Sequence, residues 1–214
     1  MLRVSVIDYG LSNLFSVTRA LAYVGAEVEI VTTAEAIRRA RVLVLPGVGA
    51  FGDGMKNLEE RGLVEPILEA AGAGRPLLGI CLGMQLLFET SEEFEGRKGL
   101  GLLKGGVVRL QGGVLNGREI KVPHIGWKEL SEFDGGTAWR QSIFQGLRAG
   151  DSAYFVHSYV PEPTLAKARL ARMSYGGRDY CAAVEDGPIA GCQFHPEKSG
   201  PVGLKILHNF VTRN

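Results

Sequence analysis

Two short stretches of this sequence carry the residue types of covalent catalysis. The first is Gly79-Ile80-Cys81-Leu82-Gly83, a thiol with glycine two residues away on each side. It has the G-x-nucleophile-x-G form of a nucleophile elbow, in which the reacting side chain sits on a strained strand-to-helix turn. Such a turn leaves no room for Cβ atoms at the flanking positions, which accounts for both glycines. The helix start favours a thiolate, and the amide of Leu82 points where an oxyanion would form. For the pentapeptide alone, a buried structural cysteine at a Gly-rich turn is the competing reading.

The second stretch is Gly191-Cys192-Gln193-Phe194-His195-Pro196-Glu197. His195 is a candidate general base. In an extended segment residues i and i+2 project to one side, and Pro196 restricts the backbone between them. Glu197 is therefore expected to hold one imidazole nitrogen while the other faces a thiol. An isolated H-x-E is more often a loop histidine with a chance neighbour; its pairing with the elbow favours the catalytic reading. Of the other histidines, His208 falls on a helix face and reads as structural, while His124 and His157 lie in aromatic-rich segments and could line a site without acting as bases.

Cys81, Cys181 and Cys192 are odd in number and lack C-x-x-C spacing, against both a disulfide framework and a structural zinc site. A reducing, cytoplasmic setting is expected, with no metal. The loop Pro46-Gly47-Val48-Gly49-Ala50-Phe51-Gly52-Asp53-Gly54 offers inward-turned backbone amides. It lacks both the Lys-Ser/Thr ending of a P-loop and a G-x-G-x-x-G spacing, so oxyanion donors are the better reading and a phosphate cradle the weaker one.

These residues need elements to hold them. The N-terminal part alternates β-branched runs with helical patterns: Leu2–Ile7, a helix near Ser12–Val24, Val28–Val31, a helix near Ala34–Ala40, then Val42–Leu45. One helical stretch from Gly54 to Ala73 leads into strand Pro76–Ile80, and a helix follows Cys81. Unalternating apolar runs indicate a parallel sheet covered by helices on both faces. Beyond Gly99, short Gly-rich segments (Val107–Leu110, Ala153–Val156, Arg169–Ser174, Ala182–Glu185, Ile189–Gln193) read as a mixed or antiparallel extension, closed by a helix over about Val202–Val211. Ser131–Asp151 is polar and Gly-rich but holds Trp139, Ile143, Phe144 and Leu147, and is read as an ordered surface insertion.

The 214 residues, 45% hydrophobic, suit one domain spanning 1–214. A net charge of +1, from 24 basic and 23 acidic residues spread along the chain, excludes a nucleic-acid or anionic-membrane reading. The longest apolar run, Pro76 to Phe88, is too short to cross a bilayer, and no export signal is visible at the N-terminus.

PGVGAFGDGM, GICLGMQLLFE, HIGW, YFVHSY and CQFHPEKSG, in that order, resemble the glutaminase-subunit family of imidazole glycerol phosphate synthases, over essentially the whole chain. The resemblance implies a three-layer class I glutamine amidotransferase-like fold with a mostly parallel sheet and a smaller antiparallel extension, and no cofactor. It implies that Cys81, His195 and Glu197 hydrolyse L-glutamine to glutamate and ammonia, with Val48 and Leu82 as oxyanion donors. Gly49, Gln85, Glu93, Ser158, Tyr159 and Val160 would hold the amino and carboxylate groups of glutamine; for Glu93, a merely solvated carboxylate is as well supported by its Ser-Glu-Glu-Phe-Glu setting. The implied partner is a (β/α)₈ cyclase subunit that takes the ammonia and forms imidazole glycerol phosphate and AICAR in histidine biosynthesis. Because free ammonia would be protonated in water, a sealed interface is required, with Trp127 and Lys198 as its candidates; Trp127 reads equally well as a core aromatic. Lys128 stands where the family pattern after HIGW usually has Asn. Two rivals stay open on sequence grounds: a free-standing cysteine hydrolase, and a binding module that has lost the reaction.

Overall fold

Strands with apolar residues on both faces must be covered on both faces, and the first half of the chain is built this way. In a computed structural model, which describes residues 1–94, 96–133 and 138–213, it runs β1 (Arg3–Ile7), α1 (Leu14–Tyr23), β2 (Glu27–Val31), α2 (Ala34–Arg39), β3 (Leu43–Gly47), α3 (Phe51–Glu60), α4 (Val64–Gly72), β4 (Leu77–Cys81) and α5 (Leu82–Leu86). Every residue of β3 and β4 is buried. The single helix expected between Gly54 and Ala73 is two: Gly62, at φ +64°, ends α3 one residue after its cap, and α4 starts afresh.

The second half adds β5 (Phe88–Ser91), β6 (Arg97–Lys98), β7 (Leu103–Arg109), β8 (Gly113–Leu115), β9 (Arg118–Ile120), β10 (His124–Glu129), β11 (Ser131–Glu132), β12 (Ser152–His157), β13 (Tyr159–Pro163), β14 (Arg169–Tyr175), β15 (Arg178–Asp186), β16 (Ile189–Cys192) and α6 (Gly200–Thr212). The main sheet has eight strands in the order β11-β14-β15-β16-β4-β3-β1-β2. The neighbours from β2 through β1, β3 and β4 to β16 pair in parallel; β16, β15, β14 and β11 pair antiparallel, which is the expected extension. A four-stranded sheet, β13-β7-β5-β6, and the ribbon β10-β12 stand beside it.

Two apolar layers enclose the main sheet. One packs Val6, Val44 and Ile80 against Leu21 of α1 and Phe210 of α6. The other packs Leu43, Leu45 and Leu77 against Ile37 of α2, Leu58 of α3 and Ile67 of α4. The Ser131–Asp151 segment is less superficial than expected. Trp139, Ile143 and Phe144 are buried in the first layer, and Trp139 Nε1 donates to Leu170 O at 2.7 Å. Residues 134–137 of that segment lie outside the described residues.

The sheet order positions the chemistry. β4 lies between β3 and β16, with Gly47 in register with Cys81 and Cys192 in register with Ile80. The Gly-rich loop, the elbow and the His-Pro-Glu segment therefore leave the sheet side by side at one carboxyl edge, where open α/β sheets bind ligands.

Candidate active site

Cys81 occupies a backbone conformation that L-residues rarely adopt, φ +54° and ψ −110°. Both flanking glycines are required for steric reasons. A Cβ on Gly83 would lie 1.7 Å from Leu45 O, and one on Gly79 would lie 2.7 Å from the backbone of Met84. The elbow thus packs α5 directly onto the neighbouring strand, a contact possible only without side chains.

His195 and Glu197 meet, but not as an extended i, i+2 pair. His195 is extended (φ −96°, ψ 96°), and Pro196–Lys198 then form a turn of 3₁₀ helix. Pro196 brings a φ suited to the first helical position, so the chain turns at once and swings Glu197 back under the ring. His195 Nδ1 donates to Glu197 Oε1 at 2.8 Å, with both side chains almost fully buried. The backbone is pinned: His195 N donates to Tyr154 O at 2.9 Å, and Ser199 Oγ donates to His195 O at 2.7 Å.

Cys81 borders the same cavity as His195, and its sulfur acts on the imidazole. Burial disfavours an imidazolium, but the hydrogen bonds to Cys81 and then Glu197, with the charges of both, outweigh it and push the His195 pKa up to about 10. The other thiols are unsuited to the role. Burial pushes Cys181 up to about 12 and Cys192 well above the usual thiol range, and all three cysteines are free.

These side chains border a cavity of about 290 Å³, lined among others by Val48, Gly49, Leu82, Gln85, Glu93, Ser158, Tyr159 and Lys198. Gln85 is buried, and its Nε2 donates to Tyr159 O and Gln193 Oε1, both at 3.0 Å. Only Oε1 of Gln85 is then left to meet a ligand, as an acceptor. Glu93 is more than a solvated carboxylate: its Oε2 accepts from Phe51 N at 2.7 Å, at the start of α3. Val160 does not line the cavity; it is 1% exposed and packs in the first apolar layer. Trp127 is 55% exposed, which removes the core-aromatic reading, and Lys198 stands exposed on the cavity rim.

Val48 departs from expectation. Its N–H donates to Leu11 O at 2.8 Å and so is turned away from Cys81 in this structure. Leu82 is the first residue of α5, where an amide has no intrahelical acceptor. Gln193 has no role in the sequence reading, yet it is fully buried and its Nε2 approaches Cys81 Sγ to 3.8 Å. Its position two residues before His195 was the available signal. His157 also borders the cavity; its Nδ1 donates to Tyr159 O at 2.9 Å, and burial, opposed by that bond, holds its pKa down at about 4. No cluster able to hold a metal ion occurs among the described residues. No helix among them is long and apolar enough to cross a membrane.

Known proteins share this construction. The family model described as glutamine amidotransferase class-I matches residues 5–214. Over 211 residues the chain is 47% identical to imidazole glycerol phosphate synthase subunit HisH 1 of Legionella pneumophila (strain Lens), covering 99% of each chain. It is 47% identical over 213 residues to the HisH subunit of Aquifex aeolicus, covering 98% of this chain and 96% of that one. Among solved structures, PurLQS from Thermotoga maritima superposes with a TM-score of 0.73 at 21% identity, covering 99% of this chain and 98% of that one, a likeness of fold. With an elbow thiol, a buried His–Glu pair beside it and relatives matched end to end, the chain belongs to the class-I glutamine amidotransferase family, in its HisH branch.

Proposed function

We propose that this chain is a single-domain, cytoplasmic glutaminase subunit of an imidazole glycerol phosphate synthase. The observation that carries the reading is the buried His195–Glu197 pair and the elbow thiol of Cys81 brought together on one cavity of about 290 Å³. Cys81 Sγ attacks Cδ of the glutamine side chain. The C–N bond then breaks as His195 gives its proton to the leaving nitrogen, releasing ammonia and a glutamyl thioester. Water, deprotonated by His195, attacks the thioester; glutamate leaves and Cys81 regains its negative charge.

Glu197 orients the ring throughout and stabilises the imidazolium. Leu82 N–H and Val48 N–H hold the oxyanion, the second only after the Pro46–Ala50 turn releases its bond to Leu11. Gln85 Oε1 and Glu93 accept from the α-ammonium group, while Gly49 and the backbone of Ser158 and Tyr159 face the carboxylate. Val160 supports this segment from the core rather than touching substrate.

The partner is a cyclase subunit that receives ammonia and completes the imidazole ring in histidine biosynthesis. Ile125 and Trp127, exposed side by side on β10, and Lys198 on the cavity rim support an interface there. The reading is tested by mass spectrometry after incubation with diazo-oxo-norleucine, with and without the cyclase. Adduct on Cys81, absent in Cys81→Ala, and glutaminase turnover stimulated by the cyclase are the expected results. An unmodified Cys81 would leave only a binding module, and full turnover without partner would favour the free-standing hydrolase.

A further inference from the structure

Tyr9 lies in the segment joining β1 to α1, and its hydroxyl is fully buried with no hydrogen-bond partner. Leaving such a donor unpaired is costly, which calls for a reason. The hydroxyl packs against the Gly-rich turn itself: a Cβ built on Gly47 would lie 2.1 Å from Tyr9 Oη and 2.9 Å from Leu82 Cβ. Gly47 is glycine because this oxygen occupies the side-chain position. Burial, and then the negative charge of Cys81, push the Tyr9 phenol far above its ordinary range, so the group remains an O–H donor.

The turn has a matching need. Val48 N–H is bonded to Leu11 O, two residues beyond Tyr9 in the same segment. The N–H and C=O of a trans peptide point in opposite directions, so rotating Val48 N–H toward Cys81 carries the Gly47 carbonyl the other way, toward the Tyr9–Leu11 segment. Buried there, that carbonyl requires a donor.

We propose that Tyr9 is a positioning residue of the oxyanion turn, its hydroxyl being the donor that receives the Gly47 carbonyl when Val48 N–H turns to face Cys81. This rests on the glutaminase reading given above. The unpaired hydroxyl of the resting state is thereby explained: it is satisfied only in the turn's other arrangement.

The test is Tyr9→Phe in the full chain, assayed alone and with the cyclase subunit, beside Ser12→Ala, which removes the other buried unpartnered hydroxyl of the segment. Tyr9→Phe is expected to lower kcat about fivefold to tenfold, the worth of one hydrogen bond in the reacting state, with KM for glutamine unchanged. Its unfolding midpoint should equal or exceed the parent's, since an unpaired polar atom is removed, and alkylation of Cys81 by iodoacetamide should keep its rate. Ser12→Ala should keep the parent kcat. An unchanged kcat in Tyr9→Phe, a lowered midpoint with slowed alkylation, or a defect confined to Ser12→Ala would each overturn the proposal. Failure of the glutaminase reading registers separately, as a parent chain whose Cys81 is not labelled by diazo-oxo-norleucine, and would overturn this proposal with it.

Discussion

His195 Nδ1 lies 2.8 Å from Glu197 Oε1 across a single turn of 3₁₀ helix, with neither side chain open to solvent. The carboxylate fixes which ring nitrogen carries the first proton and balances the charge of the imidazolium. Glu197→Gln keeps the shape but removes the charge. Its kcat for glutamine should fall by about a hundredfold or more, with KM little changed. Steady-state kinetics with the cyclase present checks this; a loss under about tenfold would show that Glu197 is dispensable.

The raised pKa of His195 owes more to Cys81 than to Glu197. Replacing the thiol removes an acceptor and an anionic neighbour, both of which favour the protonated ring, while burial continues to oppose it. In Cys81→Ala the pKa should therefore move down from about 10 toward the ordinary histidine value. Histidine ring signals followed by NMR titration give the measurement, and an unmoved His195 would disprove the pairing.

His124 and His157 respond to pH in the opposite sense. Burial, aided by Lys128 for the first and by the neighbouring histidines for the second, depresses both to about 4. Between their unfolded value of about 6.5 and about 4, the unfolded chain binds protons that the folded chain refuses, so stability falls as pH falls. These two groups should lower the thermal midpoint as pH falls below about 6, while His195, which holds its proton up to about 10 in the folded chain, should lower it as pH rises above about 7. His124→Phe, which keeps the ring packing against Tyr175 and Phe155, should flatten the decline on the acid side.

Gly83 and Gly49 separate two reasons for glycine. A Cβ on Gly83 would fall 1.7 Å from Leu45 O, forcing α5 off the sheet. Gly83→Ala should cost about 4 kcal/mol or more and yield little folded protein. Gly49, at φ +112° with nothing within 4 Å, meets only backbone strain. Gly49→Ala should cost about 1–2 kcal/mol and fold normally, as read by urea denaturation.

The parallel sheet and the elbow were legible because their signals are local and mutually consistent: unbroken apolar runs, and glycines at fixed spacing around Cys81. The His–Glu pair was legible as a pair, but its geometry was not, because Pro196 starts a helical turn that i, i+2 reasoning along a strand does not anticipate. Gly62 divided a continuous helical pattern for a similar reason, one residue's φ outweighing periodicity. Trp139, Ile143 and Phe144 looked superficial because their neighbours are polar; their burial depends on β14 and α6, far along the chain. The Val48–Leu11 bond left no trace in composition, since backbone groups carry no residue-specific signal.

β16, which flanks the nucleophile strand, comes from the last quarter of the chain, more than a hundred residues after Cys81 along the ribosome's output. A nascent chain can complete the elbow strand and its β3 neighbour while His195 is still unmade. The thiol consequently stays without its base until residue 195 has been added, so a product cut short before that point is an inert fragment rather than an uncontrolled consumer of glutamine.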